Sequence, residues 1–308
     1  MSATRDLLNR HEPWITWVGG GLAPLGALAL LGGWRLALFA LIWAGLWALN
    51  GWIAKGRGRG PAILAPTLLG LAILILWEAA VRLWAIPEVI LPAPSVIAGA
   101  FAANTSTLWA DFVQTVLKGA LTGYAVGCAA GIGTALLVAR SDFLRRGLLP
   151  VGNFMAALPI VGTAPILVMW YGFGWESKAA VVVVMVFFPV LVNTVAGLSD
   201  TTAIQRDLMR TYAAEGAAIR YLNVPAAMPF LFNGLKIATT LALIGAIVAE
   251  FFGSPTVGMG FRISTEVGRL NLPMVWAEIA VAALAGSAFY ALVAGIERRV
   301  CFWHPSMR

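Results

Sequence analysis

Catalysis would need a cluster of nucleophiles, acids, bases or metal ligands, and the 308 residues offer few candidates. The only histidines, His11 and His304, lie near opposite ends, and the only cysteines are Cys128 and Cys301. Their spacing fits no metal or redox motif, so structural thiols are expected. None of the four lysines, Lys55, Lys118, Lys178 and Lys236, follows a glycine, so a phosphate-cradling G-x-x-x-x-G-K-[ST] loop cannot form. H-E-x-x-H, C-x-x-C and G-x-S-x-G are missing too. The chain is therefore expected to be no enzyme and to hold neither cofactor nor metal. Glu78, Glu250, Glu278 and Glu297 edge the apolar runs. Acids at membrane depth are functional candidates by default, but each falls toward the end of its run, where solvation is expected. One stretch remains, suited to contact rather than catalysis. Asp207–Lys236, DLMRTYAAEGAAIRYLNVPAAMPFLFNGLK, is a polar, partly basic segment between long apolar runs, with a sharp turn expected at V-P-A-A-M-P.

The elements that position this stretch are set by composition. The chain is 60% hydrophobic and only 11% charged, against roughly 25% charged residues in soluble domains. That is too little polar surface for a water-soluble globule, so an all-α polytopic membrane protein is predicted. Thirteen Trp and 33 Gly fit the class, since Trp gathers at interfaces and Gly is tolerated in membrane helices. The net charge of +7 reads as basic cytoplasmic loops rather than a nucleic-acid surface.

About 20 apolar residues cross a bilayer's hydrocarbon core, and eight spans are predicted. After a short polar head come 14–33 and 36–54, a hairpin turning at Trp34-Arg35 and ending at the basic cluster Lys55, Arg57 and Arg59. The third covers about 62–84. Pro87, Pro92 and Pro94 then forbid a continuous helix, and Ser95 is placed to cap a short amphipathic helix over about 96–110. The fourth, about 112–139, carries Gly123, Gly127 and Gly131 four apart, a spacing for close helix packing. The run from Gly147 to Trp175 is uncharged over 29 residues and divided by Pro150, Pro159 and Pro165. A broken helix is expected there, and broken backbone at membrane depth needs protein or a water-filled cavity around it. The last three spans cover about 179–199, 227–249 and 276–297.

Charge sets the sidedness. With the N-terminus inside, fourteen Lys and Arg fall in cytoplasmic segments and five outside, at Arg35, Arg82, Lys178, Arg262 and Arg269. That bias follows the positive-inside rule and puts both termini and the 207–225 loop in the cytoplasm.

With these spans in place, the 207–229 segment resembles the EAA loop of ABC-importer permeases, whose pattern is E-A-A-x3-G-x9-I-x-L-P. Leu222, Val224 and Pro225 stand for I-x-L-P. Asp207, Leu208 and Met209 stand for E-A-A, and Ala213 for the glycine if one residue is deleted; Gly216 is out of register. WEAAVRL at 77–83, LPAPS at 91–95, WYGFG at 170–174, FPVLVNTVAG at 188–197, LKIA at 235–238 and IGAIVAEF at 244–251 are similar to the nitrate/sulfonate/taurine branch. The resemblance covers about 62–300. It implies a six-helix type I core over 61–300, an added hairpin in 1–60 and a cytoplasmic tail at 301–308.

The resemblance further implies partners in a bacterial inner membrane: an ATPase dimer that binds ATP-Mg, a second permease copy or sister, and a periplasmic or lipid-anchored solute-binding protein. The loop, about 207–222, would be a coupling helix in an ATPase groove. Tyr212, Ala213, Ala214 and Tyr221 would pack there, Arg210 and Arg220 would orient it, and Pro225 and Pro229 would fix the angle of return to the membrane. Asn153, Thr163, Asn193, Thr194 and Thr239 are the polar candidates for the solute path, and each could instead bond to helix backbone. The solute would be a nitrate-, sulfonate- or taurine-type anion, or a pyrimidine or riboflavin-type vitamin precursor. An ion-gradient carrier, the other class weighed, is expected to show paired mid-membrane charges and internal symmetry, and neither is visible in the sequence.

Overall fold

The computed structural model describes residues 13–56, 59–156, 159–214, 217–253 and 256–304, and among them every regular element is helical. Contacts divide the chain into two units, Met1–Gly99 and Ala100–Arg308.

In the first unit, α1 (Pro13–Ala54) is two helices meeting at Gly33, with φ 72°. This is one residue before the expected turn, at the residue type that adopts left-handed backbone without steric cost. Helix α2 (Arg59–Leu83) follows, with Pro66 inside it. Beyond it Ser95 does not cap a helix as expected. Its N–H and Oγ donate to the Glu78 carboxylate at 3.0 and 2.7 Å, and α3 (Pro94–Ala103) starts at Pro94. Proline fits a first helical turn because that turn's N–H groups have no helical partner.

In the second unit, α4 (Thr105–Phe112), a π-helical segment (Val113–Ala120) and α5 (Leu121–Val138) form one 34-residue span. The expected 96–110 helix is thus two, separated at Asn104, and the fourth span begins about seven residues before its expected start. The run 147–175 is broken as expected, into α6 (Asp142–Ala156) and α7 (Ile160–Tyr171). Of its three prolines only Pro159 marks the break, as N-cap of α7, while Pro150 and Pro165 lie inside helices. Helix α8 (Trp175–Ser199) leads to α9 (Ala203–Thr211), a π turn (Ile219–Asn223), α10 (Val224–Phe252), α11 (Met259–Gly268) and α12 (Leu272–Val300). Among the described residues six helices are long and apolar enough to span a membrane. The broken run does not count because neither α6 nor α7 is long enough alone, and the expected 14–33 span is helical, its side chains outside the described residues.

The core of this unit is a sandwich of stripes. Val182, Val186 and Val190, four apart on α8, are fully buried between Gly123, Gly127 and Gly131 of α5 and Ala238, Ala242 and Ala246 of α10. Lipid is as apolar as valine, so membrane helices associate through close packing, which small residues permit. A Cβ on Gly127 would stand 2.4 Å from Val186 Cγ2 and 3.0 Å from the Val183 backbone. Cys128 and Cys301 are buried free thiols, and burial raises the Cys301 pKa, in keeping with structural roles.

Candidate functional site

The segment between α8 and α10 is built to stay exposed. Thr202 and Gln205 form a capping box at the start of α9, each side chain bonding the other's backbone N–H. This satisfies two N-terminal donors and starts the helix at 203, four residues before the expected loop helix. None of its residues is buried. Ile204, Leu208 and Tyr212 recur every four residues and are 81%, 54% and 75% exposed. Residues four apart share a helix face, so the stripe is a continuous apolar ridge. Asp207 and Arg210 form an exposed ion pair at 3.3 Å.

The helix stops at Ala213, which has φ 50°. Its N–H bonds Arg210 O at 2.8 Å, and the next N–H, of Ala214, reaches back to Met209 O at 2.9 Å. This last bond closes a Schellman turn, whose left-handed position is usually glycine. Gly216 lies outside the described residues. Arg220 sits over the Tyr221 ring at 5.5 Å, and Tyr221 is 67% exposed. The expected sharp turn at 224–229 is instead helical. Pro225 occupies the first turn of α10, Pro229 lies inside the helix, and the Asn223 carboxamide donates to Leu198 O at 2.9 Å, tying α10 to the end of α8.

The five polar candidates for a solute path are largely engaged. Hydroxyls of Thr163, Thr194 and Thr239 donate to Ile160 O, Val190 O and Lys236 O at 3.3, 2.7 and 2.7 Å. Asn193 donates to Pro189 O and accepts from Asn233 on α10 at 3.2 Å, the one side-chain bridge between spans made by the four candidates whose side chains are described. Asn153 lies in α6, its side chain outside the described residues.

At the far end of α10 is a polar cluster that sequence reasoning missed. Glu250, Glu278 and Glu297, expected to be solvated, are 1%, 0% and 5% exposed. Thr115, on the π segment, donates to Glu250 at 2.9 Å. Three amides at the start of α11 are claimed: Gly258 N–H by Asp111 at 2.6 Å, Met259 N–H by Thr115 Oγ1 at 2.8 Å, and Gly260 N–H by Glu250 at 2.8 Å. Arg262 Nε reaches Asp111 at 2.8 Å, and this bond raises the arginine's pKa above its ordinary value. Lys178, fully buried, donates to the carbonyls of Phe173 and Gly253. Glu297 stands apart from this cluster and pairs at 2.7 Å with Lys236, in the first half of α10. A clue was available in the apolar run ending at Glu250, followed by Gly258 and Gly260. A Cβ on Gly260 would lie 2.2 Å from Ile247 O, so only glycine admits this approach.

Multiple spans, a broken span and an exposed helix between two packed spans together define a polytopic all-α membrane protein. Residues 127–301 match the binding-protein-dependent transport system inner membrane component family. The chain is 33% identical over 256 residues to the riboflavin transport system permease protein RibX of Chloroflexus aurantiacus, covering 81% of this chain and 93% of the relative. It is 31% identical over 246 residues to the formylaminopyrimidine transport permease protein ThiX of Halalkalibacterium halodurans, covering 80% and 98%. With the putative aliphatic sulfonates transport permease protein SsuC of Bacillus subtilis, identity is 26% over 242 residues, covering 78% and 87%. The chain belongs to this family of ABC-importer permease subunits, multi-pass proteins of the plasma membrane that work with an ATPase and a solute-binding protein.

Proposed function

We propose that the chain is the membrane-spanning subunit of an importer in which a separate ATPase dimer, docked on the 203–223 segment, drives alternating access. The observation that carries this reading is the ridge of Ile204, Leu208 and Tyr212, held in the open by a capped helix between α8 and α10. An exposed apolar ridge marks a contact surface. The flanking spans also pack against each other in the core, the α8 valines against the α10 alanines, so a push on α9 reaches α8 and α10 directly. Arg210 and Arg220 orient the docking, while Ala213, Ala214 and Tyr221 complete the surface. Asp207 holds Arg210, and Pro225 starts the return span. ATP-Mg is held by the partner, and this chain hydrolyses none.

The solute, delivered by an external binding protein, passes between this chain and a second permease copy or sister. It moves along the broken α6–α7 region and the Asn193–Asn233 pair. Both termini lie in the cytoplasm, and lipid covers the outward apolar faces of the spans. The test is ATP-driven uptake of the binding protein's solute in vesicles. Tyr212→Asp is expected to abolish uptake while leaving the chain in the membrane at normal level. Undiminished uptake would overturn the docking assignment.

A further inference from the structure

The end of α10 opposite the docking segment carries a cavity of about 410 Å³, lined by Phe173, Phe251, Phe252, Phe261, Ser264 and Glu250 among others. Its size falls in the range of roughly 300–1,000 Å³ typical of small-molecule sites. At about 1.5 Å per residue, the 29 residues of α10 place it about 40 Å from Val224. It is therefore at the other membrane face from α9, where a delivered solute arrives.

The walls discriminate between solute classes. No lysine or arginine side chain lines the cavity among its described residues. The Lys178 ammonium is committed to backbone carbonyls and the Arg262 guanidinium to Asp111. A helix N-terminus would ordinarily attract an anion through its free amides, but at α11 those of Gly258, Met259 and Gly260 are taken by the protein's own Asp111, Thr115 and Glu250. A sulfonate or nitrate entering here would meet no cationic side chain of the lining. Four phenylalanine rings offer stacking and edge contacts instead, worth most to a flat aromatic partner, and the Ser264 hydroxyl can donate or accept.

We infer that this cavity is the first docking subsite for an uncharged aromatic heterocycle, and that the importer moves such solutes rather than small anions. The inference rests on the permease reading above. The rings provide the affinity, Ser264 bonds a ring heteroatom, and an anion finds no cationic side chain in the lining.

Ser264→Cys supplies a reporter, because Ser264 is exposed and the native thiols Cys128 and Cys301 are buried. The full chain is purified in lipid nanodiscs with its ATPase, and maleimide labelling at position 264 is timed. Riboflavin and an uncharged aminopyrimidine are expected to slow labelling, and taurine to leave it unchanged. Adding Phe173→Ala or Phe251→Ala, both at exposed rings, should leave unliganded labelling unchanged. Each should weaken protection by about 2- to 10-fold, the worth of one aromatic contact. Protection by taurine alone, by no probe, or equally in the ring variants would overturn the inference. So would a thiol that stays unlabelled in the assembled complex, since the cavity would then be covered by protein. Co-purification of the ATPase is scored on the same sample. Its absence would sink the permease reading itself, whereas its presence with taurine protection would sink only this inference.

Discussion

Gly127→Ala tests the stripe packing because α5 carries its own control. The new Cβ would stand 2.4 Å from Val186 Cγ2, 3.0 Å from Val183 Cα and 3.1 Å from Val183 O. Two of these are backbone atoms and the third belongs to a stiff β-branched side chain, so relief requires α8 to move by about 1 Å, and overpacking of this kind costs about 1–3 kcal/mol. Because Val186 is fully buried against the α10 alanines, that movement meets a second wall, and the upper end of the range is expected. Gly133→Ala adds the same methyl group where nothing lies within 4 Å. It should gain up to about 1 kcal/mol from helix propensity. The assay is loss of the monodisperse peak on heating in detergent, with both variants beside the wild type. Gly127→Ala should fall well below wild type and Gly133→Ala should match or exceed it. Equal midpoints for the two variants would refute a close α5–α8 approach.

Two more predictions concern particular side chains. Ala213→Gly should stabilise the Schellman turn by about 1 kcal/mol, since an L-residue in the left-handed region costs about 1–2 kcal/mol. Hydrogen exchange at the Ala214 amide should slow, and faster exchange would contradict the turn. Asp111→Asn leaves one acceptor oxygen for two donors, Gly258 N–H and Arg262 Nε. Destabilisation of about 2–3 kcal/mol is expected, below the 3–5 of a fully buried pair because the Arg262 side chain is 20% exposed. A thermal midpoint equal to wild type would show that the α11 clasp carries no load.

The membrane class was legible from composition, and the packing of α5 from Gly123, Gly127 and Gly131. The docking segment stood out because it is polar where its neighbours are not. Its boundaries did not, because the signal at Thr202 and Gln205 is local capping chemistry lying upstream of the family-like motif. Ser95 looked like a cap because its type and position suit one. Only the fold reveals that Glu78, seventeen residues earlier, claims it. Pro225 looked like a turn because proline suits both a turn and a helix's first turn. Glu250, Glu278 and Glu297 were read as solvated because each ends its apolar run. Thr115, the partner of Glu250, lies 135 residues away, and Asp111, which the sequence did not single out, meets Arg262 across 151, separations that no local pattern encodes.

The most direct test of the central claim is capture of the ATPase. The chain, tagged at its N-terminus, is extracted in mild detergent, and the proteins retained are identified by mass spectrometry. A P-loop ATPase is expected with the wild type and with Ala213→Gly, and not with Ala213→Arg, which sets a charged side chain beside the ridge. Retention of the ATPase by Ala213→Arg at wild-type level would contradict docking on α9. Ion-driven uptake in ATP-free vesicles would contradict the importer itself.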